Sequence, residues 1–367
     1  MNLPENLTEA QIYGHVRKLL NDHERMLADG ARNAAFYRAL KKRVRAGSVV
    51  LDIGAGSGIW AIAAAQLGAK TVVAVESNEL LLGLIKQLAR DCGVGDRVQP
   101  VLGYSTALDL PRLFDVVVSE TIGFDGFDES IIAIMADARR RFLKPGGALI
   151  PESVAIVAAP IYFKPSQTRL PDKTALNFAH FEALNRNAPL HLQKRTDMRL
   201  LSSPQRLIDA DLYTAEEGFD LSRLQGKWSI AAGAPINAFA AWVECKLAPG
   251  VRLSTRSTTS WTPVIYRIAA IPVDATEISL KLAFRPTTAH WEVSAGAGKT
   301  QTQQSASPER ATQRLLRDLR ASNIQISPSG QQLLDALLAA PANNRGTDTT
   351  TVGATPDALN DRSIYPG

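Results

Sequence analysis

With only two cysteines in 367 residues, Cys92 and Cys245, the chain has no basis for a disulfide framework. It has neither a CxxC pair nor a Cys/His cluster to hold structural zinc. Histidine is nearly as scarce, and the five present (His15, His23, His180, His191, His290) show no metal-ligand spacing, so no metal is expected. Nowhere do about 18 apolar residues run together, which argues against a membrane-spanning helix. The opening MNLPENLTEA lacks a basic-then-apolar leader, and a cytoplasmic protein is the expectation. Charge of one sign is not in large excess. The formal +5 is modest, and the clusters Lys41-Lys42-Arg43 and Arg139-Arg140-Arg141 read as solvated helix faces as readily as a nucleic-acid surface. What the chain does have is apolar residues, 45% of the total, enough for real cores in two domains of ordinary size.

Apolar residues recur at helical spacing through residues 5–46, giving an N-terminal helical segment over 1–46. The period then changes. Short β-branched runs at 48–53, 71–76, "RVQPVLG" and "FDVVVSE" alternate with helical stretches, the last being "SIIAIMADARRRFLKPGG", closed by its Pro-Gly-Gly. Strands alternating with helices predict a parallel, doubly wound α/β sheet over 47–155. Residues 156–300 are strand-rich and broken by Pro, Gly and Ser, as in a barrel, with an amphipathic interruption at 174–194. Two capped amphipathic helices are expected within 301–340, and a polar, mobile tail over 341–367.

Two stretches carry chemistry. In "VVLDIGAGSGIW" a strand runs into Gly54-Ala55-Gly56-Ser57-Gly58 and then a helix, aiming backbone amides and a helix N-terminus at a ligand. Glu76 ends the next strand about twenty residues on, where an acid accepts hydrogen bonds from ribose hydroxyls; this spacing suits NAD and S-adenosylmethionine alike. The pattern D-x-G-x-G-x-G, with Asp52 inside it, resembles the first motif of class I methyltransferases rather than GxGxxG. The second stretch is "SETIGFDGFDES" (119–130), which crowds Glu120, Asp125, Asp128 and Glu129 at a strand end. Acids so placed repel one another unless a cation sits between them. Glu120 and Glu129 flank the Gly123/Gly126 turn, so the loop can aim both carboxylates at one point. A planar guanidinium matches such a pair, and together with a sulfonium it leaves the assembled site neutral.

The loop resembles the double-glutamate loop of the protein arginine methyltransferases, with Glu120 and Glu129 on the two glutamates. "HERMLADGARNAAFYRAL" is similar to that family's N-terminal helix, "FLKPGGALIPESVAIVAAPI" to the segment leading into its β-barrel, and "LIDADLYTAEEGFDLS", "INAFAAWVECKL" and "TSWTPVIY" to the barrel's motifs in order. About residues 13–300 are covered. The resemblance implies a class I Rossmann-like domain followed by a β-barrel-like domain with a helical arm that docks on a second subunit, hence a homodimer. It implies S-adenosyl-L-methionine as cofactor and methyl transfer to the guanidinium of arginine in a peptide or protein. Glu120, Glu129, Ser260 and Trp261 fall on catalytic positions. His23, Met26, Arg32, Asp52, Gly54, Gly56, Glu76, Ser77 and Thr106 fall on cofactor-lining ones, with Arg32 the partner of the methionine carboxylate. Three positions depart from the pattern. Arg17 replaces a second tyrosine, Thr106 stands where many relatives bind the adenine amino group with a glutamate, and the Thr-His-Trp loop reads Thr259-Ser260-Trp261. Ala289-His290-Trp291 follows the W-x-P-x-x-Y strand and is read as ordinary strand. Transfer to another basic small molecule, and a cofactor-binding module without turnover, stay open as alternatives.

Overall fold

The computed structural model describes residues 9–111, 113–123, 126–164, 190–191, 198–268, 276–285, 288–296 and 328. Helix α1 (Glu9–Leu27) and helix α2 (Gly30–Arg43) divide the expected N-terminal helical segment. The break comes at Asp29, an N-cap whose side chain accepts the Arg32 amide and so satisfies one of the unpaired donors of α2. Helix α2 turns Arg32, Ala35, Phe36, Ala39 and Leu40 inward, a spacing of three and four that places one stripe against the core.

Strands β1 (Val49–Ile53), β2 (Thr71–Glu76), β3 (Val98–Leu102), β4 (Phe114–Ser119) and β5 (Leu143–Ile150) form a parallel sheet in the order β3-β2-β1-β4-β5. Helices α3 (Ile59–Gln66), α4 (Glu79–Asp91) and α5 (Ile131–Arg141) make the crossovers. Because β2 lies on one side of β1 and β4 on the other, the chain reverses direction between them and opens a crevice at their carboxyl ends. Register brings Ile53 opposite both Val75 and Ser119, so the glycine turn, Glu76 and Glu120 emerge side by side.

β5 corrects one expectation. The helix ends at Arg141, and Lys144-Pro145-Gly146-Gly147 lies inside a fifth strand rather than closing the helix. Phe142 is fully buried, edge-on to Phe114 at 6.5 Å, and this contact turns the chain from helix into sheet. The β4–β5 register shifts between Phe114 and Val116, absorbing the Pro-Gly-Gly.

The chain enters its antiparallel half at β6 (Ser153–Phe163), just after Glu152, a few residues ahead of the boundary drawn at 155. Glu152 is buried, pairs with Arg43 of α2 and is 2.8 Å from Lys246, so it fastens the N-terminal helices to this half. β6 pairs with β9 (Gln205–Asp211), β8 (Met198–Leu200) and β11 (Ala238–Ala248). β11 in turn pairs with β12 (Val251–Ser254) and β13 (Val264–Arg267), and β7 (Leu190–His191) pairs with β13. A second sheet joins β10 (Leu224–Ser229), β14 (Glu277–Arg285) and β15 (Thr288–Ala295). Ile156, Phe239 and Tyr266 from the large sheet share a core with Trp228, Leu280 and Trp291 from the small one. The fold is therefore a Rossmann-like α/β domain followed by a curled antiparallel one. Of the interruption expected at 174–194, only Leu190–His191 is described, as a strand. The segments 301–340 and 341–367 lie outside the described residues apart from Pro328. His290 sits in β15 opposite Ala283. Among the described residues no helix is long and apolar enough to cross a membrane.

Candidate active site

The glycine turn is built for close approach. Gly54 and Ala55 both donate to the Val75 carbonyl at 3.0 Å, folding the turn onto β2. Gly56 has φ +56°, and a Cβ there would lie 2.9 Å from His23 Nε2, so His23 packs directly over the turn. Its Nδ1 is 2.9 Å from the Leu19 carbonyl. Gly54 likewise has φ +68° and leaves no room for a Cβ beside Thr121, which places the acid loop against the same turn. Glu76, buried at the end of β2, accepts from the Gly56 amide at 2.8 Å and the Asn78 amide at 2.9 Å, with Ser77 between them in sequence. Thr106 is exposed in a 3-10 turn (Ser105–Ala107). Arg141 holds that turn by donating to the Ser105 and Leu108 carbonyls at 2.7 Å each.

Arg32 rises from α2 into the crevice. Only 4% exposed, it forms an ion pair with Glu120 and donates to Asn33 Oδ1 at 2.9 Å; the Met26 carbonyl is 3.4 Å away and its sulfur 3.9 Å. Its guanidinium carbon lies 5.2 Å from the Trp60 ring, 5.5 Å from Trp261 and 6.0 Å from Phe36, a set of aromatic faces suited to a cation. Arg32 Nε, however, has no acceptor. Burial pushes the Glu120 carboxyl up to about 7; Arg32 opposes that rise, and Glu129 and Asp29 add to it. Glu129 is therefore near enough to act on Glu120 electrostatically.

Asp52 lies beneath the glycine turn with no exposed surface, and neither carboxylate oxygen has a partner in good hydrogen-bond geometry. Burial pushes its carboxyl up to about 7, with Glu76 and Glu120 adding to the rise and the Ala61 amide and Arg32 offsetting part of it. Asp29 is equally buried and differently served. Its Oδ2 accepts from the Thr259 amide at 2.7 Å, the Ser260 amide at 2.8 Å and the Ser260 hydroxyl at 2.6 Å, and its Oδ1 takes the Arg32 amide at 3.1 Å. This one carboxylate ties the antiparallel domain's Ser260-Trp261 loop to the helix that carries Arg32. Sequence reasoning assigned no role to Asp29 or Trp60; the signals were an acid three residues before Arg32 and a large aromatic right after the glycine turn. Among the described residues no cluster suits a metal ion.

Comparison with known proteins fits this geometry. Residues 35–154 match the family model described as ribosomal protein L11 methyltransferase (PrmA). The chain is 29% identical over 262 residues to an arginine N(omega)-methyltransferase of Streptomyces achromogenes subsp. streptozoticus, covering 68% of this chain and 72% of that one. It is 26% identical over 310 residues to a probable protein arginine N-methyltransferase 6 of Arabidopsis thaliana, covering 76% and 69%. Its fold resembles the Trypanosoma brucei PRMT1 enzyme–prozyme complex with AdoHcy (TM-score 0.66, 18% identity, covering 77% of this chain and 96% of that one). It also resembles a PRMT6–SAH structure (TM-score 0.59, 20% identity, covering 76% and 100%). The chain is thus similar, in sequence over about two thirds of its length and in fold, to protein arginine N-methyltransferases. At the position of the histidine in those enzymes' Thr-His-Trp pattern this chain has Ser260, which is held by the buried Asp29.

The residues present fit S-adenosylmethionine. Two unsatisfied groups among the described residues of the crevice, the Asp52 carboxylate and Arg32 Nε, complement an ammonium and a carboxylate respectively. Glu76 retains lone pairs beyond its two backbone partners for ribose hydroxyls.

Proposed function

We propose that the protein is an S-adenosylmethionine-dependent N-methyltransferase acting on the guanidinium of an arginine in a peptide or protein. One observation carries the reading: Glu120, buried at the end of β4 and coupled to Glu129, already grips a guanidinium, that of Arg32. A carboxylate that holds one guanidinium in a cage of aromatic rings is suited to hold another. Support also comes from the relatives, two of which are named for arginine methylation, and from the fold neighbours, which are complexes with AdoHcy and SAH.

The cofactor supplies an electrophilic methyl group on a sulfonium. The chain's own residues position and discharge the acceptor. Glu120 and Glu129 hold the guanidinium by paired N–H···O contacts and draw its charge toward the nitrogens they touch, leaving the third with lone-pair character. An arginine guanidinium keeps its proton in water at neutral pH, so the proton leaves as the new bond forms rather than before it. Glu120, with a carboxyl titrating at about 7, is matched to take that proton. Asp29 keeps the Ser260 hydroxyl on itself, so Ser260 leaves room beside the clamp that an imidazole would fill. The reading therefore favours monomethyl and symmetric dimethyl products, distinguished from the asymmetric form by mass-spectrometric neutral loss.

A second reading, transfer to free arginine, is favoured by the Streptomyces relative, whose name specifies arginine and not protein. Labelled methyl transfer to an arginine peptide, its lysine counterpart and free arginine separates the two. The proposal expects label on the arginine peptide, none on lysine and far less on free arginine. Preference for the free amino acid would install the second reading, and cofactor binding without transfer to any acceptor would leave only a binding module. A cytoplasmic homodimer is the expected working form, in keeping with the heterotetrameric assembly named for the trypanosome neighbour. Light scattering at micromolar concentration checks the dimer.

A further inference from the structure

Arg32 occupies the place that the substrate is meant to take. Its guanidinium bonds the first clamp carboxylate, Glu120, while Trp60, Trp261 and Phe36 pack around it. A second guanidinium arriving at Glu120 meets a carboxylate whose charge is already compensated, and a buried cation beside it. Like charges forced together in a buried site repel strongly. Arg32 is nevertheless not fully satisfied there, because its Nε lacks an acceptor although the side chain is nearly inaccessible to water. A buried cation with one orphan donor is poised to accept a second anion. The crevice floor does not supply it, since neither Asp52 oxygen is within hydrogen-bond distance of Arg32. The anion that enters this crevice is the carboxylate of the cofactor's amino-acid moiety, an inference that rests on the proposed cofactor and acceptor.

We propose that Arg32 is an internal latch on the clamp: it holds Glu120 until the cofactor's carboxylate engages it, and only then is Glu120 released to an acceptor arginine. The latch has three parts. Glu120 is the seat, Trp60 and Trp261 are walls that keep the guanidinium in the crevice in either position, and Asp29 anchors the start of α2 by accepting the Arg32 amide. It imposes an order of binding, cofactor before acceptor, through competition for one carboxylate and without movement of a lid.

Calorimetric titration of an arginine peptide into the protein tests this directly, with three arms for the wild type: no addition, saturating S-adenosylhomocysteine, and saturating 5′-methylthioadenosine. The last shares the adenosyl and thioether groups but has no carboxylate, and its own titration establishes saturation. The latch predicts that peptide affinity rises at least tenfold with S-adenosylhomocysteine and less than threefold with methylthioadenosine. In Arg32→Met, with folding checked by thermal unfolding, the peptide should bind without any addition, and S-adenosylhomocysteine should change its affinity less than threefold. Equal peptide binding in all three wild-type arms overturns the latch, and so does promotion by methylthioadenosine as strong as by S-adenosylhomocysteine. Either result leaves the arginine acceptor standing. Peptide binding in no arm at all, variant included, removes the acceptor reading and the latch with it. The wild-type arms decide the matter even if Arg32→Met does not fold.

Discussion

Asp29, at the α1–α2 junction, and Asp52, on the floor of the glycine turn, both have no exposed surface, and they are in opposite states. Burial alone raises the Asp29 carboxyl, but hydrogen bonds from the Ser260 hydroxyl and from the Ser260, Arg32 and Thr259 amides outweigh it and hold it below the ordinary value. Asp52 has no partner in good hydrogen-bond geometry, only partial help from the Ala61 amide, and is driven up to about 7. The first region is complete as folded. The second has unmet hydrogen-bonding capacity that a ligand can fill. Within one crevice, the saturated carboxylate of Asp29 serves as framework, and the under-satisfied groups (Asp52 and Arg32 Nε) mark where a ligand is expected.

The comparison can be broken most forcefully at Asp29. Replacing it by alanine strands the Thr259 and Ser260 amides and the Ser260 hydroxyl in a buried site, and should destabilise the protein by about 4 kcal/mol, read as a fall in the urea midpoint. A loss below about 1 kcal/mol would mean that the loop does not depend on this anchor. The pH limbs sharpen the contrast. A carboxyl held low, as in Asp29, contributes stability that is present above its ordinary pKa and lost as pH falls through the lowered value. A carboxyl held high, as in Asp52, contributes stability that is full below its ordinary value of 3.8 and lost as pH rises through about 7. Asp52→Asn should therefore flatten the decline in stability between about pH 4 and pH 7, and at pH 8 stabilise the cofactor-free protein by on the order of 4 kcal/mol while weakening S-adenosylhomocysteine binding. An unchanged pH profile in thermal unfolding would show that Asp52 does not carry this strain. The smallest effect belongs to Ser260→Ala, which removes one of the four hydrogen bonds to Asp29 and should lower stability by about 1 kcal/mol, with the two loop amides still in place.

Part of the site could be read from spacing. The glycine turn, Glu76 and Glu120 lie at strand ends whose local pattern is legible, and register then sets them side by side. Asp29 could not be read that way, because its partners Thr259 and Ser260 are 230 and 231 residues away and in the other domain. Trp60 gives no local sign of its role either, since a tryptophan stacked on Phe36 at 4.8 Å looks like core until Arg32 is placed beside it. β5 was misread because Pro-Gly-Gly normally ends a helix, and only pairing with β4, through a register shift, makes a strand of it.

The central claim is that Glu120 and Glu129 act together on a guanidinium, and the turnover number of Glu120→Gln and Glu129→Gln on an arginine peptide tests it most directly. Each change keeps shape and removes charge. If electrostatic stabilisation of the acceptor dominates, each lowers kcat by roughly 10²–10³-fold, while thermal unfolding shows both variants folded. Either variant retaining near wild-type turnover would contradict the claim and return the acids to an ordinary solvated loop.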